Sequence, residues 1–247
     1  MQWFRDKLDL PSRAKFYLWR LSGNSFEGVF KLKNGSTIIL RPKPFQDIAT
    51  VTEVFATDLY DIPDQIKHGG IVSIVDLGAN VGFTYVYWLS KYPQAHVTAF
   101  EPHPKHLKQI KKHLEANSSA GAVTLVPKAA GVAQGALYLT DDEYSSTLVN
   151  TPTEQTITVD VADWIAEIGN DLIDLLKIDV EGSEYALLSD PRFGQLNLQV
   201  CVLEWHNTEE FPNGRDWCEK RLAELGYQCC EGVSGSPNNG LLWAWKS

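Results

Sequence analysis

Polar and apolar residues alternate with two different periods along this chain. The run GVFKLKNGSTIILRP (residues 28–42) sets Asn34-Gly35 between two alternating segments, a strong β-hairpin signal. The next stretch, QDIATVTEVFATDLY, spaces Ile48, Val51, Val54 and Phe55 as one face of a helix. The first 20 residues mix Arg5, Lys7, Arg13, Lys15 and Arg20 with Trp3, Phe4, Phe16, Tyr17 and Trp19. That mixture suits a helix packed on the main body, or one lying on a membrane or a partner. Residues 1–68 therefore read as an N-terminal cap of helix, hairpin and helix.

From Ile71 the period switches repeatedly between strand and helix. IVSIVD, HVTAFE, AVTLVP, IDLLKIDV and LQVCVLEW read as strands. Helices are expected from about Phe83 to Lys91, Pro104 to Asn117, Ala162 to Ile168, from Gly182, and from Arg215 to Leu225. GALYLT and QTITVD form a hairpin-like pair in the polar stretch 131–156. YQCCEG and GLLWAWK have no helix between them and should pair antiparallel near the sheet end. Continuous apolar strands separated by helices imply a sheet covered on both faces. The expected fold is α/β: residues 69–247 form a Rossmann-like, seven-stranded, doubly wound sheet with one antiparallel strand.

Composition narrows the class of protein. The chain has 247 residues, enough for one large core. Its net charge of -9 argues against nucleic acid as a partner. No apolar run is long enough to cross a membrane. The charged start MQWFRDKLDL lacks the apolar region of a secretory signal, which leaves the cytoplasm as the expected location. Cys201, Cys218, Cys229 and Cys230 form no C-x-x-C pair, so a zinc ribbon is not expected. Oligomeric state is left open, a homodimer included.

Candidate chemistry begins at IVSIVDLGANVGFTY, where Asp76 ends a strand and Gly78 and Gly82 allow a tight turn into a helix. Glu101 ends the next strand and is placed to accept both hydroxyls of a ribose. The ligand should then carry an adenosine. NAD would bring a pyrophosphate beside Asp76, and like charges repel. S-adenosylmethionine would bring an ammonium and a sulfonium, which Asp76 attracts, and a carboxylate for the loop N–H groups. Asn80 offers an amide to either.

LLKIDVEGSEYALL supplies a second constellation. In an extended strand Lys177, Asp179 and Glu181 share one face. Glu184 falls in the first turn of the next helix, where negative charge is favourable in itself. VCVLEWH repeats the device with Glu204 and His206. Two strands thus send Asp179, Glu181, Glu204 and His206 toward one crevice. His206 or Asp179 is the expected general base, and Glu204 the residue orienting the imidazole. Carboxylates with an imidazole could instead hold Mg²⁺ to acidify an acceptor hydroxyl, although no metal site is predicted.

VDLGANVGFTY, AFEPHP, the turn after AVTLVPKAAG, YSSTL, VDVADW, LLKIDVEGSEYALL and VLEWH together resemble the FkbM family of S-adenosylmethionine-dependent methyltransferases. These pieces run in family order over about residues 70–206, and KIDVEGxE is the most specific. The resemblance implies a class I methyltransferase fold and O-methylation of a hydroxyl on a small molecule, sugar or secondary metabolite. It implies that Asp76, Gly78, Ala79, Asn80 and Gly82 hold the methionine part, and that Glu101 and Pro102 serve the ribose side. Lys128 and Ala129 would lie near the adenine, and Asp179 between cofactor and acceptor. Ser145 and Ser146 match a loop facing the cleft. Two alternatives remain: an NAD-dependent sugar oxidoreductase and a non-catalytic cofactor-binding protein.

Overall fold

The computed structural model describes residues 2–45, 47–57, 59–119, 121–140, 146–232 and 236–246. Two helices open the chain, α1 (Gln2–Lys7) and α2 (Leu10–Leu21). Asp9 accepts the Ser12 N–H at 2.8 Å and caps α2, whose first turn holds Pro11. The hairpin β1 (Gly28–Lys31) and β2 (Thr37–Leu40) follows, then α3 (Asp47–Ala56).

The main body runs β3 (Ser73–Leu77), α4 (Phe83–Lys91), β4 (His96–Phe100), α5 (Pro104–Ala116) and β5 (Val123–Val126). A smaller region comes next: β6 (Ala129–Gly131), β7 (Gly135–Thr140), β8 (Leu148–Val149) and β9 (Thr156–Asp163). Then come α6 (Trp164–Ile168), β10 (Ile173–Ile178), α7 (Glu184–Ser189), β11 (Leu198–His206), α8 (Gly214–Glu224), β12 (Gln228–Glu231) and β13 (Asn239–Trp245).

Seven strands form one sheet in the order β12-β13-β11-β10-β3-β4-β5. All neighbours from β11 to β5 are parallel, and β13 is the one reversed strand, between β11 and β12. This is the expected doubly wound topology. The hairpin-like pair β7 and β9 is also present, but it belongs to a separate four-stranded sheet ordered β6-β9-β7-β8.

Strand period 2 divides the core in two. Ile74, Leu175, Val200, Val202 and Trp243 join α4, α5 and the N-terminal elements on one face. Val75, Leu77, Leu176, Ile178, Cys201 and Leu203 join α6, α7 and α8 on the other. Four tryptophans of the main body are accounted for by packing. Trp88, Trp164 and Trp205 are buried in these cores. Trp217 stacks edge-on against Tyr185 and Phe211.

The outer edge of β2 has no strand partner among the described residues. Side chains from α5 and its C-cap take that place. Gln109 donates to Ile39 O at 2.7 Å, and His113 Nε2 accepts the Ile39 N–H at 2.9 Å. Asn117 bonds both N and O of Thr37, at 2.7 and 2.9 Å. Four helical residues rise about 6 Å and two strand residues about 6.6 Å, so the two repeats nearly match.

Candidate active site

The sheet order reverses between β3 and β10, where a doubly wound sheet opens a crevice at its carboxyl ends. Loop 78–82 leaves β3 there, and loop 179–182 leaves β10. The two loops press together. A Cβ on Gly78 would come within 1.9 Å of the Asp179 carbonyl oxygen, and Gly78 has φ of 87°. Asn80 and Glu181 each have φ of 49°, so both loops carry a non-glycine residue in the left-handed region. For glutamate that conformation costs about 1–2 kcal/mol, which the surrounding contacts must offset.

Two cavities flank this junction and share Gly78, Asn80, Asp179 and Glu181 in their walls. The first is a narrow slot of about 80 Å³ between Phe100, Pro102, Ala129, Ala130, Leu139 and Leu148, with Glu101 and His106 in its wall. Ala129 is there as expected; Lys128 is not part of the lining, and Ala130 was not anticipated. Ser146 reaches the slot, whereas Ser145 lies outside the described residues. The second cavity is larger, about 470 Å³. Glu204, His206, Lys177 and Asn239 meet Glu53, Thr57 and Tyr60 from the N-terminal segment around it.

Glu101 is buried and its carboxylate is already engaged. It accepts the N–H groups of Asn80 and His103, each at 2.8 Å, and faces His106 Nδ1 at 3.2 Å. Carboxylate oxygens have spare lone pairs, so a diol in the slot can still be received. The loop N–H groups differ from expectation. Gly78 N and Ala79 N both bond Phe100 O, Asn80 N bonds Glu101, and Gly82 N bonds Ala79 O. These four donors are consumed within the protein, so they form no nest for a pyrophosphate or a carboxylate. Gly82 enters neither cavity wall; it caps α4 with φ of 89°, against the Tyr85 ring.

Asp76 also lies away from the position expected for it. It is fully buried and lines neither cavity. Thr84 donates to its Oδ2, while Lys177 Nζ lies 3.2 Å from Oδ1. Lys177 also lies 3.2 Å from Asp179 Oδ2 and donates to Gly78 O at 2.8 Å. Sheet register sets Lys177 directly beside Asp76. Burial pushes the Asp76 carboxyl up, against the pull of Lys177 and Thr84. For Lys177 burial works to lower the ammonium pKa, but Asp179 and Asp76 outweigh it and raise it.

The strand expected to carry Asp179 and Glu181 stops at Ile178. Asp179 and Glu181 still meet His206, because the turn swings Glu181 back over β11. Ligand atoms of Asp179, Glu181 and His206 all lie within 4.8 Å of one another, close enough to chelate a cation. Glu204 and His206 do share a face of β11, with Glu204 Oε1 3.7 Å from His206 Nε2 and Glu181 Oε2 3.4 Å away. The residue that fixes the imidazole is nevertheless Glu184, not Glu204. Glu184 is fully buried, accepts the His206 N–H at 2.8 Å, and stands 3.3 Å from Nδ1. Its other oxygen takes the Gly182 N–H at 2.8 Å. A helix-start acid thus ties loop 179–182 to the end of β11.

Electrostatics follow from this crowding. Burial alone would lower the His206 pKa; the Glu184 hydrogen bond and the charges of Asp179, Glu184 and Glu181 raise it to about 9. Burial and the Asp179 charge push Glu204 up, only partly opposed by His206 and Lys177. Tyr60 is raised by burial and by Asp179, Glu204, Asp76 and Glu53, so its hydroxyl stays neutral. Tyr60, Glu53 and Thr84 gave no sequence signal beyond helical spacing, since what joins them to the site is tertiary packing.

The seven-stranded sheet, parallel from β11 to β5 with β13 reversed and a crevice between β3 and β10, has the class I methyltransferase architecture. The sequence profile of the methyltransferase FkbM domain matches residues 76–229. The chain belongs to the FkbM methyltransferase family. It is 30% identical to methyltransferase sdnD of Sordaria araneosa, over 71% of this chain and 80% of that protein. Methyltransferase 1 of Beauveria bassiana (strain ARSEF 2860) is also 30% identical, over 55% of this chain and 64% of that protein. A solved methyltransferase FkbM from Methylobacillus flagellatus KT superposes with a TM-score of 0.54 at 17% identity, over 79% of this chain. The chain spans 47% of that structure's length.

Proposed function

We propose that this methyltransferase transfers the methyl group of S-adenosylmethionine to a hydroxyl oxygen of a small molecule, sugar or secondary metabolite. One observation carries the reading: a narrow slot with Glu101 in its wall and a larger polar cavity share a wall built from Gly78, Asn80, Asp179 and Glu181. The flat apolar slot suits an adenine, and Glu101 a ribose diol. Spent N–H groups at Gly78, Ala79, Asn80 and Gly82 offer no nest to an NAD pyrophosphate or to the carboxylate of S-adenosylmethionine, so the preference for S-adenosylmethionine rests on the family and not on these donors. When bound, S-adenosylmethionine would supply a methyl carbon made electrophilic by its sulfonium, with S-adenosylhomocysteine as the leaving thioether.

The residues of this chain then have three tasks. Gly78 lets the two loops pack together, and with Asn80 it forms the junction that the cofactor would span. Glu53, Thr57 and Tyr60 orient the acceptor, and alignment supplies much of the acceleration. Neutral His206 Nε2 takes the hydroxyl proton as the oxygen attacks. His206 would become a base nearer working pH with a sulfonium at the junction, because a neighbouring positive charge opposes protonation of the imidazole. Asp76 acts indirectly, by holding Lys177 between Asp179 and Gly78.

Calorimetric titration with S-adenosylmethionine and with NAD tests the donor. Binding of NAD alone overturns the reading. Mass spectrometry of methylated products tests the acceptor oxygen. The base is tested by His206→Ala and Asp179→Asn, and near wild-type rates in both would remove the assignment. Convergence of Asp179, Glu181 and His206 supports one rival, in which a divalent cation acidifies the hydroxyl. Under that rival a chelator stops turnover and added Mg²⁺ restores it.

A further inference from the structure

The helix α2 is apolar on two opposite sides. Ser12, Phe16 and Trp19 face inward and are buried. Lys31 N donates to Ser12 Oγ at 2.7 Å and Trp19 Nε1 to Phe26 O at 2.6 Å, so the helix is fixed to the hairpin. Its inward face already accounts for its folding. Yet Leu10, Tyr17, Leu18 and Leu21 recur at helical spacing on the outward side and are 78%, 66%, 63% and 68% exposed. Exposed Ala14 falls in the same stripe.

Charge frames the stripe. At 100° per residue, Arg13 and Arg20 fall along one flank and Lys15 along the other. Residues 1–21 hold five basic and two acidic side chains, in a chain whose net charge is -9. Basic charge is therefore concentrated where the apolar residues are exposed. A two-fold pair of copies meeting through α2 would set these basic flanks against each other. A negatively charged bilayer surface instead matches both features: apolar side chains enter the acyl boundary, and flanking Lys and Arg meet phosphate groups.

We infer that α2 is a docking helix that lays its Leu10, Tyr17, Leu18 and Leu21 face on an anionic membrane surface. The helix lies in the interface plane; among the described residues no helix is long and apolar enough to cross a membrane. The methyl-transfer cavities open from other elements, so docking and catalysis are separable.

Co-sedimentation of the full chain with phosphatidylserine–phosphatidylcholine vesicles, and with pure phosphatidylcholine vesicles, tests the inference. Binding is expected to the anionic vesicles, to weaken in high salt, and to fall by at least about tenfold in the double variant Leu18→Glu/Leu21→Glu. Both positions are exposed, so circular dichroism and methyl transfer should match wild type in that variant. Lys15→Glu/Arg20→Glu should lose the preference for anionic vesicles. The inference is overturned if wild type stays in the supernatant, or if both variants bind as wild type does. Light scattering that shows a dimer dispersed by Leu18→Glu/Leu21→Glu would assign the stripe to a second copy and overturn it too.

Discussion

Glu184 Oε1 takes the backbone N–H of His206 at 2.8 Å and stands 3.3 Å from its imidazole Nδ1. Backbone and side chain of His206 are thus held by one buried carboxylate, leaving Nε2 toward the larger cavity. Glu184→Gln keeps an acceptor for the backbone N–H but removes the charge. The apparent pKa of His206 should then fall from about 9 toward the ordinary value near 6.5. The alkaline plateau of turnover should drop by roughly tenfold, part of what a positioned base contributes. An NMR titration of His206 beside a pH–rate profile checks this; an unchanged profile would show that Glu184 is merely structural.

Gly78→Ala introduces a Cβ at 1.9 Å from the Asp179 carbonyl, at φ of 87°. Backbone must move, so the variant should lose about 1–3 kcal/mol of stability and at least tenfold in cofactor affinity. Gly69→Ala, where a Cβ meets nothing within 4 Å, is the control and should match wild type. Equal calorimetric affinities in the two variants would refute the close packing of the loops.

Lys177 is the cation between two carboxylates, 3.2 Å from each. Lys177→Met leaves buried Asp76 without a counter-charge and should destabilise by about 3–5 kcal/mol in urea unfolding at neutral pH. Adding Asp76→Asn should recover part of that loss. Strict additivity of the two changes would show that the pair is not coupled.

His113 is buried neutral: Nδ1–H donates to Val81 O at 2.8 Å and Nε2 accepts from Ile39. Burial lowers its pKa to about 4 despite the pull of Val81 O. Between about pH 6.5 and 4 the unfolded chain binds the proton and the folded chain does not. Stability is therefore full above about pH 6.5 and declines as pH falls toward 4, by on the order of 3 kcal/mol. Urea unfolding across that range should show the decline, and a His113→Gln variant should show less of it. Identical slopes would clear His113 of the effect.

Much of this architecture was legible in the chain because strand and helix periods were clean. Continuous apolar strands announced the doubly wound sheet, and the missing final helix announced the reversed strand. Local chemistry was harder. Asp76 and Lys177 are about a hundred residues apart, so only the β3–β10 register pairs them. Glu184 looked like a helix-start acid because its partner lies on another strand. Glu181 read as extended, but two loops meeting at Gly78 force it into a left-handed turn.

The β2 edge, met by Gln109, His113 and Asn117, has a consequence outside the site. An exposed strand edge invites pairing with another chain, which is a route to aggregation. Here a helix presents amides and an imidazole in strand register, so the hairpin offers incoming chains no template along Thr37 and Ile39. Replacing those three side chains with apolar ones would expose a sticky edge while leaving every strand in place.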